Sequence, residues 1–289
     1  NLLNVKYSYS GGSYNSLANP YLQKDKAGLS LKNSFRLLNN QINLTAGYNS
    51  YEDNLSDNKT GTTKAKGLFA NIGYYPQSDN LPCISFNYQQ SDFKNDVPDS
   101  LVTETDTIDY RPSQIDRLNN LIGISTSYKI PQIKFAQTRI SFNVYSSNSV
   151  DNQFKTFDIN SQNYQFSISS ILNNLPLSSN LSFYYMKTED NPADTTRTSS
   201  DYKGLHLREC YSFIQDRLRS YLEYSWTNSA GTSEYTKNYI SLGVSHKLKL
   251  FGAETFLSGE VSHLMYKNKS VLDSDYNQTE FRVKISQKF

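Results

Sequence analysis

Apolar and polar residues alternate along most of the chain with a period of two. In QINLTAGY the side chains of Ile42, Leu44, Ala46 and Tyr48 fall on one face, and polar or small residues fall on the other. The segments TRISFNVY and RLRSYLEYSW repeat this arrangement. A period of two is that of a β-strand, because successive side chains of a strand point to opposite faces of the sheet.

About fourteen such segments follow one another, which predicts an all-β fold. The expected strands lie near residues 2–10, 26–38, 41–51, 65–76, 83–91, 118–129, 136–147, 154–172, 178–188, 200–214, 217–227, 234–249, 253–266 and 276–289. No linker or change of composition divides them, so we expect residues 1–289 to form a single domain. Because the first residue is Asn1 rather than Met, we expect a processed chain or the C-terminal part of a longer one.

The connections between the predicted strands are alternately short and long. Tight connections such as NN, IPQ, NNLPL, QD and LFGA alternate mostly with long polar ones such as GGSYNSLANPYLQKD. Short turns on one side and long loops on the other are typical of outer-membrane β-barrels. The pattern therefore predicts a transmembrane antiparallel up-and-down barrel of about 14 strands, with short periplasmic turns and long extracellular loops. We expect the first and last strands to pair, so that no edge faces lipid.

Charges on the polar face favour a membrane barrel over a soluble β-sandwich, which would need a thick apolar core. The mean hydropathy is −0.64, and no run of about 18 apolar residues predicts a transmembrane helix. A water-filled lumen would accommodate the charged face. The side chains expected to line it are Lys32, Arg36, Arg139, Arg208, Arg217, Arg219, Glu223, Glu260, Arg282 and Lys284.

Aromatic residues mark both ends of the apolar face. The chain has 23 Tyr and 15 Phe but only 1 Trp. Aromatic girdles flank the lipid-facing band of membrane barrels, where the rings lie at the level of the lipid headgroups. The girdle residues predicted here, which we expect to contact outer-membrane lipid, are Phe35, Tyr74, Tyr128, Phe213 and Trp226.

The chain ends in the alternating segment FRVKISQKF. Its apolar residues Phe281, Val283, Ile285 and Phe289 resemble the C-terminal signal of bacterial outer-membrane β-barrel proteins. That resemblance implies insertion by the barrel-assembly machinery and an integral location in the outer membrane of a Gram-negative cell. The segments SLANPYLQKDKAG and LTAGYNSYEDNL resemble barrel regions from Bacteroidota-related lineages, and no functional residue is carried over from them.

Candidate chemistry is sparse, and we expect no enzymatic activity, no cofactor and no metal site. The net charge of +2 gives no reason to expect a nucleic-acid partner. By the predicted register His206 faces the lumen whereas His246 and His263 face outward, and no local motif indicates a catalytic triad. Cys83 and Cys210 lie on opposite sides of the predicted ring and are expected to be free thiols. The acidic loop 91–117 is expected to be a solvated surface, with cation binding or narrowing of the pore as the alternative.

The sequence favours a passive diffusion channel for small polar or anionic solutes, because basic side chains outnumber acidic ones on the predicted lumen face. An equally weighted interpretation is that these charges pair with one another inside the barrel. One alternative function is a structural anchor that holds partner proteins of a larger cell-envelope complex. A second alternative is a hydrophobic-substrate transporter of the fatty-acid type.

Overall fold

The computed structural model describes residues 1–12, 25–57, 61–95, 116–152, 157–192, 196–213, 217–250, 253–269 and 274–288. It contains fourteen β-strands. They are β1 (Leu2–Ser10), β2 (Lys26–Leu37), β3 (Ile42–Asp53), β4 (Thr63–Tyr74), β5 (Cys83–Asn95), β6 (Asp116–Ile130), β7 (Ala136–Asp151), β8 (Asp158–Leu172), β9 (Leu177–Asp190), β10 (Thr198–Phe213), β11 (Leu218–Gly231), β12 (Tyr235–Leu250), β13 (Ala253–Asn268) and β14 (Tyr276–Lys288). Among the described residues, no helix is long and apolar enough to cross a membrane.

All fourteen strands belong to one antiparallel sheet in which the spatial order equals the chain order. The predicted strands agree with the observed ones at the short-turn end, but several strands are longer at the loop end. Strands β5, β7 and β11 each continue four residues beyond their predicted ends, to Asn95, Asp151 and Gly231. Most residues of these extensions are polar or small, so the alternation weakens although the hydrogen-bonded ladder continues.

The turn between β2 and β3 shows how a short connection is encoded. Leu38, Asn39 and Asn40 have φ angles of 49°, 53° and 68°, and the Gln41 amide donates to the Leu38 carbonyl oxygen over 3.1 Å. Asparagine tolerates this left-handed region better than most residues, which explains the Asn39–Asn40 pair. The tight reversal fixes the register that follows, in which Leu37 pairs with Ile42.

The described residues form no packed apolar interior. Their only buried hydrophobic side chains are Ala65 and Ala136, both small. Large apolar side chains such as Leu222, Ile240 and Leu242 are exposed and share one face of the sheet, because Leu222 pairs with Leu242 and Tyr224 with Ile240. We call this face the outer face. A soluble sheet would bury such a face, whereas a membrane barrel presents it to lipid.

The opposite face is polar and concave, and we call it the inner face. The Tyr184 hydroxyl on β9 lies 2.7 Å from the Thr227 hydroxyl on β11, although β10 runs between these strands. Side chains from strands that are not neighbours meet in this way on the inside of a curved sheet. Gly204 of β10 leaves the space for the contact, since a Cβ there would lie 2.0 Å from the Tyr184 ring.

The sheet has two edges, β1 and β14, which lie at opposite ends of the strand order. In the described part of the chain, β1 pairs with β2 and β14 pairs with β13, and no ladder joins β1 to β14. The outer-face residues of both strands are highly exposed, for example Val5 at 59% and Val283 at 74%. The pairing of the first and last strands therefore stays a prediction.

Candidate functional site

The candidate site is the inner face, and the register decides which charged residues belong to it. In an antiparallel pair, directly opposed residues point to the same face. Lys32 and Arg36 pair with Gly47 and Asn43 of β3, which lie on the face of that strand away from its apolar residues. Arg139 pairs with Ser169. On the same basis the register assigns to this face Arg208, Arg219, Glu223, Glu260, Arg282 and Lys284, while Arg217 lies in the turn before β11.

The register adds inner-face charges that the sequence analysis did not single out. They include Lys6, Lys129, Lys237, Lys247, Glu254 and Glu280. All of them lie within the predicted strands and occupy alternate positions there, so the same period of two would have identified them. With them included, cations still outnumber carboxylates on this face.

Some of these charges are paired locally, between adjacent strands or within one strand. Lys247 Nζ lies 2.8 Å from Glu254 Oε1, and Arg282 lies 2.8 Å from Glu280 Oε1. The pairs are exposed and contribute little stability, about 0–1 kcal/mol each. Several other inner-face cations have no ion-pair partner among the described residues, and Lys32, Arg36, Arg139 and Lys284 are among them. Pairing therefore neutralises part of the inner face and leaves a net positive charge.

Glu260 on β13 is held by hydroxyl groups from β12. The Ser241 and Tyr239 hydroxyls donate to its Oε1 atom over 2.9 Å and 3.2 Å. Ser241 is almost fully buried, with 1% of its surface exposed. Charge-assisted hydrogen bonds of this kind restrain a carboxylate, so the two hydroxyls hold Glu260 against the wall.

His206 has the most catalysis-like surroundings on the inner face. Its Nε2 atom lies 3.3 Å from Glu223 Oε1, and the Arg208 Nε atom lies 3.9 Å from Glu223 Oε2. The residues opposite His206 on the flanking strands are Ser182 and Ser225. No hydrogen bond joins either serine to the imidazole among the described residues. His246 and His263 lie on the outer face, as the predicted register requires.

The predicted girdle residues all fall on the outer face by their pairing. Phe35 pairs with Leu44, Tyr128 with Ile140, and Trp226 with Leu205; Tyr74 and Phe213 follow the same register. Their contact with lipid headgroups stays a prediction.

Glu209 also faces outward, opposite Leu222, without any bulge in the ladder. It lies toward the short-turn end of β10 and accepts a hydrogen bond of 2.6 Å from the Ser179 hydroxyl. The hydrogen bond partly replaces the hydration that a carboxylate loses near lipid. These features are consistent with a carboxylate near the membrane interface.

The residues of the C-terminal signal continue the outer face. Phe281, Val283 and Ile285 pair with Val261, Gly259 and Leu257 of β13. Their exposed fractions are 75%, 74% and 69%. Phe289 lies outside the described residues.

Cys83 on β5 and Cys210 on β10 are free thiols on the inner face. No group of three or more His, Cys, Asp or Glu side chains suited to a metal ion occurs among the described residues. Most of the acidic loop, residues 96–115, lies outside the described part of the chain. At the end of that loop, Asp116 lies 2.7 Å from Lys94 Nζ.

A single antiparallel up-and-down sheet with an apolar convex face and a charged concave face defines an outer-membrane-type β-barrel. No protein-family model matches the sequence, and no curated protein matches it either. In fold, the chain is similar to the siderophore receptor PirA from Acinetobacter baumannii, with a TM-score of 0.54 and 7% identity over 89% of this chain and 54% of that one. The chain thus spans about half the length of that receptor.

Two further outer-membrane proteins match with lower scores. The ferripyoverdine receptor of Pseudomonas aeruginosa gives a TM-score of 0.47 and 9% identity over 98% of this chain and 48% of that one. A loop-deletion mutant of OmpT from Vibrio cholerae gives a TM-score of 0.38 and 8% identity over 90% of both chains.

The predicted fold class is confirmed by the fourteen-stranded antiparallel topology. The fold and the apolar outer face are those of an integral protein of the bacterial outer membrane, which is the location predicted.

Proposed function

We propose that the protein is a passive diffusion channel for small polar solutes, with a preference for anions. The observation that supports this proposal is the set of inner-face cations without an ion-pair partner among the described residues, which includes Lys32, Arg36, Arg139 and Lys284. Unpaired cations along a pore attract anions and repel cations. A ring of fourteen strands is wide enough for a narrow aqueous passage.

The test is conductance of the purified protein in planar lipid bilayers under a salt gradient. The expected result is an open current whose reversal potential indicates anion selectivity. A double variant, Lys32→Glu with Arg36→Glu, should shift that reversal potential toward cation selectivity, because it reverses two wall charges. Glu209→Gln is the matched control, since this carboxylate lies on the outer face and should leave selectivity unchanged.

A purified barrel that conducts no current would contradict the channel. A partner that co-purifies stoichiometrically from native membranes would then support the structural anchor. Uptake of a fatty acid by cells that express the protein, without conductance for ions, would instead support a hydrophobic-substrate transporter.

We also infer that β14 is the segment recognised by the barrel-assembly machinery. Its residues Phe281, Val283 and Ile285 form an apolar row on the outer face, and in the described part of the chain only one of its two edges is paired. The resemblance of residues 16–28 and 44–55 to barrels of Bacteroidota-related lineages supports an origin in that group of Gram-negative bacteria.

A further inference from the structure

We propose that the inner face contains a binding site for small oxyanions, such as phosphate or carboxylate groups, at the short-turn end of strands β6 to β10. This proposal deepens the channel function and rests on it for the route by which a solute arrives. The site is a groove of about 450 Å³. Its lining includes three cations, Lys129, Arg139 and Arg208, and no acidic residue.

The ladder register brings the groove residues into one row across the wall. Lys129 pairs with Arg139, which pairs with Ser169 on β8. Ser169 in turn pairs with Asn180 on β9, and Asn180 pairs with Arg208 on β10. Neighbouring strands are about 4.8 Å apart, so roughly 14 Å of wall separates the backbones of Arg139 and Arg208. Their long side chains flank the two small polar residues between them.

Of the three groove cations, Arg139 is the one whose charge is least compensated by a carboxylate. Lys129 lies directly opposite it, and like charges in that position repel. Lys129 is partly compensated by Asp79, 2.6 Å away, and Arg208 by Glu223, 3.9 Å away. No carboxylate lies in the groove for Arg139, and it has no ion-pair partner among the described residues. A bound anion would remove the repulsion between Arg139 and Lys129.

The neutral residues of the groove suit the same ligand. Asn180 supplies amide N–H donors and Ser169 a hydroxyl, both between the two arginines. Guanidinium groups bind the oxygens of phosphate and carboxylate in pairs, which a lysine cannot do. The volume is within the range of small-molecule sites. Arg208 also lines a neighbouring groove with Arg219, so Arg139 is the more specific residue to change.

Cys210 lines the groove and reports on its occupancy without any requirement for ion conduction. The experiment measures the rate at which a thiosulfonate reagent modifies Cys210 in the refolded protein, with increasing inorganic phosphate and with chloride of equal ionic strength. Cys83, a free thiol in another part of the inner face, is the internal control. The variants Cys83→Ser and Cys210→Ser assign the two rates.

Phosphate should slow the modification of Cys210 several-fold and leave the rate of modification of Cys83 unchanged. In Arg139→Gln, about tenfold more phosphate should be needed for the same protection, because a hydrogen bond to a charged group contributes that much to binding. Arg139→Lys should retain part of the protection. Arg36→Gln removes an equivalent charge on β2, outside the groove, and should behave like the unaltered protein.

The proposal is overturned if phosphate protects Cys210 no better than chloride does, or if Arg139→Gln keeps full protection. Circular dichroism of each variant shows whether the β-fold is retained, so that loss of protection is not mistaken for unfolding. A barrel that conducts no ions but shows specific protection would contradict the channel and keep the binding site. A conducting barrel in which phosphate gives no specific protection would keep the channel and contradict the binding site.

Discussion

At the scale of single residues, the inner wall is shaped by glycines that lie beneath aromatic rings of the neighbouring strand. A Cβ atom at any of four such glycines would lie 2.0 to 2.5 Å from the ring, which no real contact permits. The pairs are Gly47 with Phe69, Gly123 with Tyr145, Gly204 with Tyr184, and Gly243 with Tyr221. Each ring can therefore lie along the wall over its glycine.

The variant Gly204→Ala tests this arrangement. The new methyl group should displace the Tyr184 ring and break its hydrogen bond to Thr227, which lowers the free energy of unfolding by about 1–2 kcal/mol. Gly259→Ala is the matched control, because nothing lies within 4 Å of a Cβ there. Denaturant unfolding, followed by the fluorescence of the single tryptophan Trp226, measures the free energy of unfolding of both variants. Equal effects of the two variants would show that the ring contact contributes nothing.

At the scale of secondary-structure elements, β14 combines an apolar outer row with an inner row of charge. The inner row includes Arg282 and Lys284, which pair with Glu260 and Ser258 of β13. Because only one row faces outward, a charge has different consequences in the two rows. Position in the strand, and not polarity alone, should therefore decide whether β14 functions as an assembly signal.

Ile285→Asp should reduce insertion by purified barrel-assembly machinery several-fold. Leu257→Asp is the control, because Leu257 lies directly opposite Ile285 on the outer face but belongs to β13. Both changes put a carboxylate on the lipid side at the same depth, so both should weaken the folded barrel to a similar degree. The measurement is machinery-dependent insertion into lipid vesicles, with spontaneous refolding in detergent as reference. The comparison separates loss of the assembly signal from loss of barrel stability. If the two variants lose insertion equally, β14 is not a special signal.

At the scale of the whole molecule, the two sheet edges pose the main question. Unpaired backbone N–H and C=O groups are costly in lipid, and closure between β1 and β14 would satisfy them. The start of β1 and the end of β14 both lie on the short-turn side of the sheet. Leu2 pairs with Ser34 near one short turn, and Lys288 pairs with Glu254 near another. Up-and-down topology makes β1 and β14 antiparallel, so a closing ladder would have the same type as the others.

Closure predicts a disulfide cross-link between outer-face cysteines of β1 and β14. Val5→Cys would be combined in turn with Phe281→Cys, Val283→Cys and Ile285→Cys, in a background of Cys83→Ser and Cys210→Ser. At least one pair should cross-link in lipid under mild oxidation, because a disulfide needs Cα atoms within about 7 Å. Val5→Cys with Leu31→Cys is the positive control, as these residues pair across β1 and β2. A control that cross-links while all three test pairs fail would contradict closure.

The sequence by itself determined the strand count, the chain-order topology and the face of most strand residues, because a period of two is a local property of the backbone. It located the apolar face that includes Leu242 and the polar face that includes Lys32 from neighbouring residues alone. It failed at the loop ends of β5, β7 and β11, where most residues are polar or small, the alternation is weak and the ladder continues.

Only the tertiary structure decided which inner-face charges meet. The pairing of Glu223 with Arg208 and His206, and the position of Arg139 beside Lys129 without a carboxylate, depend on the register between strands. That register is set by turns such as 38–41 and by contacts between distant segments. A periodic pattern within one strand contains no information about the residue that lies opposite it.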